Sequence, residues 1–233
     1  VDDDVTDAGG DVHFVSVAPS FQLDKFTLTP NVAYLNGTSE IDFDMTWVGL
    51  DVDATFDAFS AWGSFIYSTG DKLDGSGDDQ DGYLVAAGAE AGIVHGQIFY
   101  ASGEEEDNTG DSDAFTGAPG QSYYWSEIMG LGVFDNQSSA GSPGNAITNI
   151  MAANIGVTLK PMDKLKLDFD VWYAALAEDN ANGDDGLGVE FDAKATYALM
   201  DDLTAEFIVA YLMADDATTN TTSSNDEDAI EAG

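Results

Sequence analysis

Residues 165–175 show the pattern on which the chain is built. Leu165, Leu167, Phe169, Val171, Tyr173 and Ala175 alternate with Lys166, Asp168, Asp170, Trp172 and Ala174. A two-residue period held over that length is a β-strand with one apolar and one mostly polar face. The same alternation runs through Leu187, Val189, Phe191, Ala193, Ala195, Tyr197 and Leu199, and through Leu203, Ala205, Phe207, Val209, Tyr211 and Met213. Upstream it appears in Phe26–Leu28–Pro30–Val32–Tyr34, in Val48–Leu50–Val52–Ala54–Phe56 and in Phe59–Ala61–Gly63–Phe65–Tyr67. Strands are predicted at about 12–22, 25–36, 44–56, 58–69, 83–91, 93–102, 147–160, 163–176, 186–199 and 202–214. No segment carries the 3.6-residue period of a long helix, so the chain reads as all-β.

The connections alternate as well. Tight turns fall near Leu23–Asp24, Asp57, Ala91–Gly92, Pro161–Met162 and Met200–Asp201, while 37–43, 70–82, 103–146, 177–185 and 215–230 are long and rich in Asp, Gly, Ser and Asn. Short turns at one end and long polar loops at the other describe an antiparallel up-and-down meander with the sidedness of an outer-membrane β-barrel of ten or more strands. The whole chain, 1–233, reads as one barrel domain, with loop 103–146 long enough to enter the lumen as a constriction.

Each strand that rises toward a long loop carries a tyrosine near its top: Tyr34, Tyr67, Tyr100, Tyr173 and Tyr211. All five lie on the apolar face by parity, and eight residues earlier on that face come Phe26, Phe59, Gly92, Leu165 and Leu203. Eight residues on a tilted strand span about 20 Å of height, close to the roughly 25 Å apolar band of a membrane barrel. A tyrosine suits the upper boundary because its ring is apolar and its hydroxyl seeks water. The expected girdle is therefore these five tyrosines. The opposite face supplies the expected pore lining: Asp51, Asp53, Lys166, Asp168, Asp170, Glu190, Asp192, Lys194 and Glu206. Charges of that number inside a dry sandwich core would cost several kcal/mol each unless paired, whereas a wet lumen removes the cost.

Composition narrows the partners. Six Lys+Arg against 44 Asp+Glu give a net charge of −38, which argues against nucleic acid and against electrostatic docking on anionic lipid. Hydrophobic residues at 44% argue against the disorder that such acidity alone would suggest. With no cysteine there is neither a disulfide framework nor a thiolate metal site. The opening VDDDVTDAGG is the reverse of a basic, apolar-cored leader, so an exported form would have shed one.

Three segments, QSYYWSEIMGLGVFDNQ (121–137), NIMAANIGVTLKPMDKLKLDFDVWYAALAED (149–179) and GVEFDAKATYALMDDLTAEFIVAYLMADDAT (188–218), resemble the C-terminal portion of outer-membrane porins from sulfate- and metal-reducing Gram-negative bacteria, which are similar to alginate-export-like barrels. The resemblance implies a barrel in the cell outer membrane with passive solute diffusion as its activity, and carries over no substrate site. Such barrels close on a strand ending in an aromatic residue; this sequence reaches EDAIEAG where that strand is expected to begin, which implies either absent flanking strands or something other than an ordinary single-chain porin.

The loops hold the remaining acid. Asp74, Asp78, Asp79 and Asp81 stand among glycines, a set of hard oxygen ligands suited to Ca²⁺, although the spacing is not that of an EF-hand. Tyr123, Tyr124 and Trp125 in the long loop could form a sugar-stacking platform. His13 and His95 are far apart and lack cysteine partners, and no nucleophile elbow is present, so no enzymatic activity is expected. No cofactor is required; Ca²⁺ at the acidic loops is the one candidate. The expected partners are outer-membrane lipid, small solutes or cations, and further copies of the chain as a homo-oligomer. An alternative function is structural: a barrel subunit assembling outside the cell into a tube or filament, with Ca²⁺ neutralising the loops.

Overall fold

A computed structural model describes residues 11–38, 42–72, 78–104, 110–119, 125–130, 147–218 and 229–232. The β-branched and aromatic alternation forms strands where the sequence predicts them. They are β1 (Asp11–Val17), β2 (Phe21–Leu23), β3 (Phe26–Thr38), β4 (Asp42–Thr55), β5 (Ser60–Asp71), β6 (Asp79–Ala91), β7 (Val94–Ala101), β8 (Ile150–Met162), β9 (Leu165–Ala175), β10 (Gly186–Met200), β11 (Leu203–Ala214) and β12 (Ala229–Ala232). The predicted strand 12–22 is one leg broken into β1 and β2, both paired to β3.

The strands form a single antiparallel up-and-down sheet in chain order from β1 to β12. Two differences from the sequence reading stand out. Ala229–Ala232 pairs with Val209–Leu212, a descending strand at EDAIEAG, where a closing strand is expected to begin, that starts within the last two residues of the span read as loop 215–230. The β5–β6 hairpin also climbs higher than its alternation, pairing as far as Asp71 with Asp79. Its β6 arm is held there by backbone bonds to the long loop, Asp81 N–H to Ser112 O and Ser112 N–H to Asp79 O, each 2.8 Å. By alternation of direction, β1 and β12 both run toward the short-turn end. Direct pairing between them would be parallel, and among the described residues they share none.

The apolar face points outward. Phe65, Val85, Ile98, Ile155, Phe169 and Phe207 are each exposed over at least two-fifths of their surface. The opposite face bounds a half-open cavity of ≈ 500 Å³ lined by residues from β5 through β11, so the sheet curls around it. That inner face is polar only in its short-turn half. Toward the long loops Met45, Trp47, Phe99, Ile150, Trp172, Leu187 and Leu212 all face inward and are buried. They form two clusters closed by Phe115, Ala118, Trp125 and Met129 from the long loop. A fully solvated lumen would leave that apolar surface wet at about 25 cal/mol per Å². The long loop covers it instead.

Candidate functional site

Beyond Gly103 and Glu104, two stretches of the loop reading 103–146 are described, and both lie on the inner face. Residues 110–119 are tied to β4, β6 and the end of β7. Trp47 Nε1 donates to Thr116 O at 2.6 Å, Gln80 Nε2 to Ala114 O at 2.8 Å, and Ser102 Oγ to Asp113 O at 2.7 Å. A Cβ on Gly82 would stand 2.5 Å from Phe115 Cα and N, so the bare glycine backbone is what lets the loop lie so close.

Residues 125–130 pass deeper. Trp125 is buried edge-on against Phe99 and Trp172, with ring centroids 5.2 and 5.4 Å apart. The turn that follows points three consecutive N–H groups at one carboxylate. Glu127 and Ile128 N–H donate to Glu190 Oε1, each at 2.7 Å, and Met129 N–H to Oε2 at 2.8 Å. Such a nest of successive amides stabilises an anion where water cannot. Glu190 is 0% exposed. It faces inward as expected but lines no open pore, because the loop caps it. Trp125 is likewise unavailable as a stacking surface, which corrects that part of the sugar-platform expectation; Tyr123 and Tyr124 lie outside the described residues.

Below this plug is the polar cavity. Of the expected lining, Asp168, Asp170, Asp192 and Lys194 border it, together with Glu90, His95, Glu127 and Asn154. Their side chains form a network across β7, β8 and β9. His95 Nε2 lies 2.8 Å from Asp170 Oδ1, which also accepts from Asn154 Nδ2 at 2.6 Å. Lys166 pairs with Asp168 at 2.9 Å and Lys194 with Glu206 at 3.2 Å. Such half-exposed pairs are worth about 0–1 kcal/mol each. Asp192 Oδ1 is buried with no hydrogen-bond partner among the described residues. Asp51 accepts from Asn31 Nδ2 at 2.9 Å and Ser64 Oγ at 2.5 Å on the far wall, while Asp53 and Glu206 are exposed near the short turns. Thr158, His95 and Asp170 have the outline of a hydroxyl–imidazole–carboxylate relay. However, Thr158 Oγ1 donates its proton to Asp168 at 2.7 Å rather than to the ring, 3.4 Å away.

Of the four acidic loop candidates Asp78, Asp79 and Asp81 are described, and Asp78 O accepts the Lys72 N–H at 2.8 Å. Asp74 lies outside the described residues, Asp79 N–H donates to Asp111 Oδ1 at 3.2 Å, and Asp81 Oδ1 accepts the Tyr67 hydroxyl at 2.8 Å. Among the described residues no group of three His, Cys, Asp or Glu is placed to hold a metal. His13 sits on edge strand β1, far in the sheet from His95 on β7.

The outer face carries the five tyrosines in a regular stagger. Tyr34 stands across from Thr46 and Thr46 from Thr69, two residues above Tyr67. Tyr67 pairs with Tyr83, whose carbonyl takes the N–H of Ser102, two residues above Tyr100. Tyr100 leads through Met151 to Ala175, two above Tyr173, and Tyr173 leads through Val189 to Met213, two above Tyr211. The step is the same four times. Two strands measure about 9.6 Å across and two residues about 6.6 Å along, so the five share one height if the strands tilt by about 35°. That tilt is the one membrane barrels adopt.

No protein-family model matches the chain, and no curated protein matches it. One solved chain, from work described as "Unveiling the Mechanism Behind the in-meso Crystallization of Membrane Proteins", aligns with 95% of this chain and 75% of its own length, at a TM-score of 0.40 and 8% identity. A likeness at that level carries no functional weight.

Proposed function

We propose that this protein is a porin-like channel of the outer membrane, passing small solutes and preferring cations. The observation that carries the reading is the tyrosine stagger: five rings on an exposed apolar face, in a register that levels them at the strand tilt of a membrane barrel. No water-soluble sheet needs that coincidence. The outward leucines, valines and phenylalanines then meet hydrocarbon, and the inner carboxylates stay hydrated.

Cation preference follows from the lining. The cavity wall carries the carboxyl groups of Glu90, Glu127, Asp168, Asp170 and Asp192 against Lys194 and His95, and low-dielectric walls focus the resulting field along the lumen. Residues 110–119 and 125–130 narrow the path from the long-loop side. The deciding experiment is the reversal potential of the purified protein in a planar bilayer under a salt gradient. The expected sign is that of a cation-selective pore; anion selectivity contradicts the proposal. A second reading, a subunit that polymerises outside the cell, draws on the edges β1 and β12, unpaired with one another among the described residues. Electron microscopy separates the two: ordered polymers in water with added Ca²⁺ favour assembly, and single particles in detergent favour the channel.

A further inference from the structure

We propose that Glu190 is the latch of this channel, the residue that keeps the 125–130 turn seated across the lumen and the pore in its low-conductance state. The proposal rests on the channel reading above and adds how its opening is controlled.

The seat is built from two directions. From the wall, β10 presents Glu190 and Asp192 on the same inner face. The two differ in what meets them. Glu190 receives three backbone N–H groups, while Asp192, in side-chain hydrogen-bond contact with Glu190, keeps one buried oxygen, Oδ1, without a partner among the described residues. The turn meets the upper carboxylate of the two. From the loop, the turn is shaped to deliver those amides. Ser126 Oγ accepts the N–H of Gly130 at 2.9 Å, and a Cβ on Gly130 would meet Trp125 O at 2.6 Å and its indole at 2.7 Å. A glycine there lets the turn close tightly enough for residues 127, 128 and 129 to converge.

The energetics make the contact two-state. A carboxylate with no exposure is tolerated only while its lone pairs are filled, so Glu190 resists losing the turn. The amides are equally bound, since a buried N–H without an acceptor is costly. Neither partner can be released alone without a penalty, but both are hydrated if the turn lifts out. Packing of Trp125 and Met129 holds the same turn, yet apolar packing has no direction. The three charge-assisted bonds fix its position. Glu190 is thus a positioning residue that acts through the loop.

Two variants attack the latch from opposite sides: Glu190→Ala removes the acceptor, and Gly130→Val removes the turn without touching the sheet. Amide hydrogen exchange at 127–129 and single-channel conductance are measured for wild type and both variants, with circular dichroism confirming unchanged β content. Glu190→Gln keeps one oxygen and turns an NH₂ toward Met129 N–H, so it should fall between wild type and Glu190→Ala. Loss of the three bonds shifts the seated–lifted balance by roughly a hundredfold or more. The expected result is slow wild-type exchange, exchange faster by about that factor in the variants, and a several-fold larger unitary conductance in both. Fast exchange in the wild type, or conductance unchanged in variants whose amides are freed, overturns the latch. Silence of all three proteins in the bilayer overturns the channel reading itself, and exchange still decides whether Glu190 anchors the turn.

Discussion

Arginine in place of Phe169 tests which way the apolar face points. Phe169 lies four residues from Tyr173 at the upper rim and four from Leu165 at the lower end of the same strand. At about 3.3 Å per residue and a tilt of about 35°, it stands roughly 11 Å from either boundary, near the middle of the apolar band. Its cross-strand neighbours are Val157 and Ala193, so no carboxylate on that face can receive the guanidinium. A cation on the lipid face at the midplane costs about 2–4 kcal/mol, falling to about 0–1 near the interface. Phe169→Arg should therefore lower unfolding stability by about 2–4 kcal/mol and Tyr173→Arg by no more than about 1. Thr158→Lys is the control on the other face. It puts an ammonium beside Asp168, whose height is already shared by Lys194, and should change stability by less than about 1 kcal/mol. The assay is denaturant unfolding in phospholipid bilayers, followed by tryptophan fluorescence. Trp47, Trp125 and Trp172 are all buried on the inner face and report loss of the plug together with the sheet. Phe169→Arg within about 0.5 kcal/mol of wild type, or equal costs at 169 and 173, would refute the reasoning, because the penalty must follow depth.

Three further outcomes are expected. Gly82→Val should push residues 114 and 115 off β6 at a cost of about 1–3 kcal/mol, read as a red shift of Trp47 emission once its bond to Thr116 is broken. Asp170→Ala removes the acceptor shared by His95 and Asn154 and should destabilise the protein by about 1–3 kcal/mol, while Asp170→Asn, which keeps an oxygen there, costs less in the same unfolding assay. Replacing Asp168 and Asp170 by Asn takes two carboxylates from the cavity wall and should shift the reversal potential toward zero; an unchanged potential places the ion path elsewhere.

The strands were legible because one face of each meets a different medium from the other, and a two-residue period records that difference directly. Parity placed Phe169, Val171 and Tyr173 outward, and they are exposed. Parity also placed Trp172, Ala174 and Leu212 on the polar side, and they face inward but are buried in the cluster that the loop closes. The signal was present in the sequence. Alternation fades near the long-loop ends of β9 and β11, where both faces become apolar, and the apolar stretch SYYWSEIMGLGVF needed somewhere to pack. Which strands it would meet depends on contacts more than sixty residues apart, such as Glu127 with Glu190, and no local period encodes those. The four-residue strand Ala229–Ala232 falls at EDAIEAG, where the resemblance places the start of a closing strand; AIEA is too short to show a period of its own, and its pairing with β11 defines it.

The most direct test of the outward-facing apolar surface is a nitroxide scan of residues 165–175 in lipid vesicles, and the cysteine-free chain takes single labels without background. The account predicts that labels at 167, 169, 171 and 173 meet dissolved oxygen more than a water-soluble nickel chelate. Labels at 166, 168 and 170 should show the reverse, and those at 172 and 174 should be shielded from both by the plug. A scan without that two-residue alternation, or one in which 167–173 are shielded from oxygen and chelate alike, would contradict it.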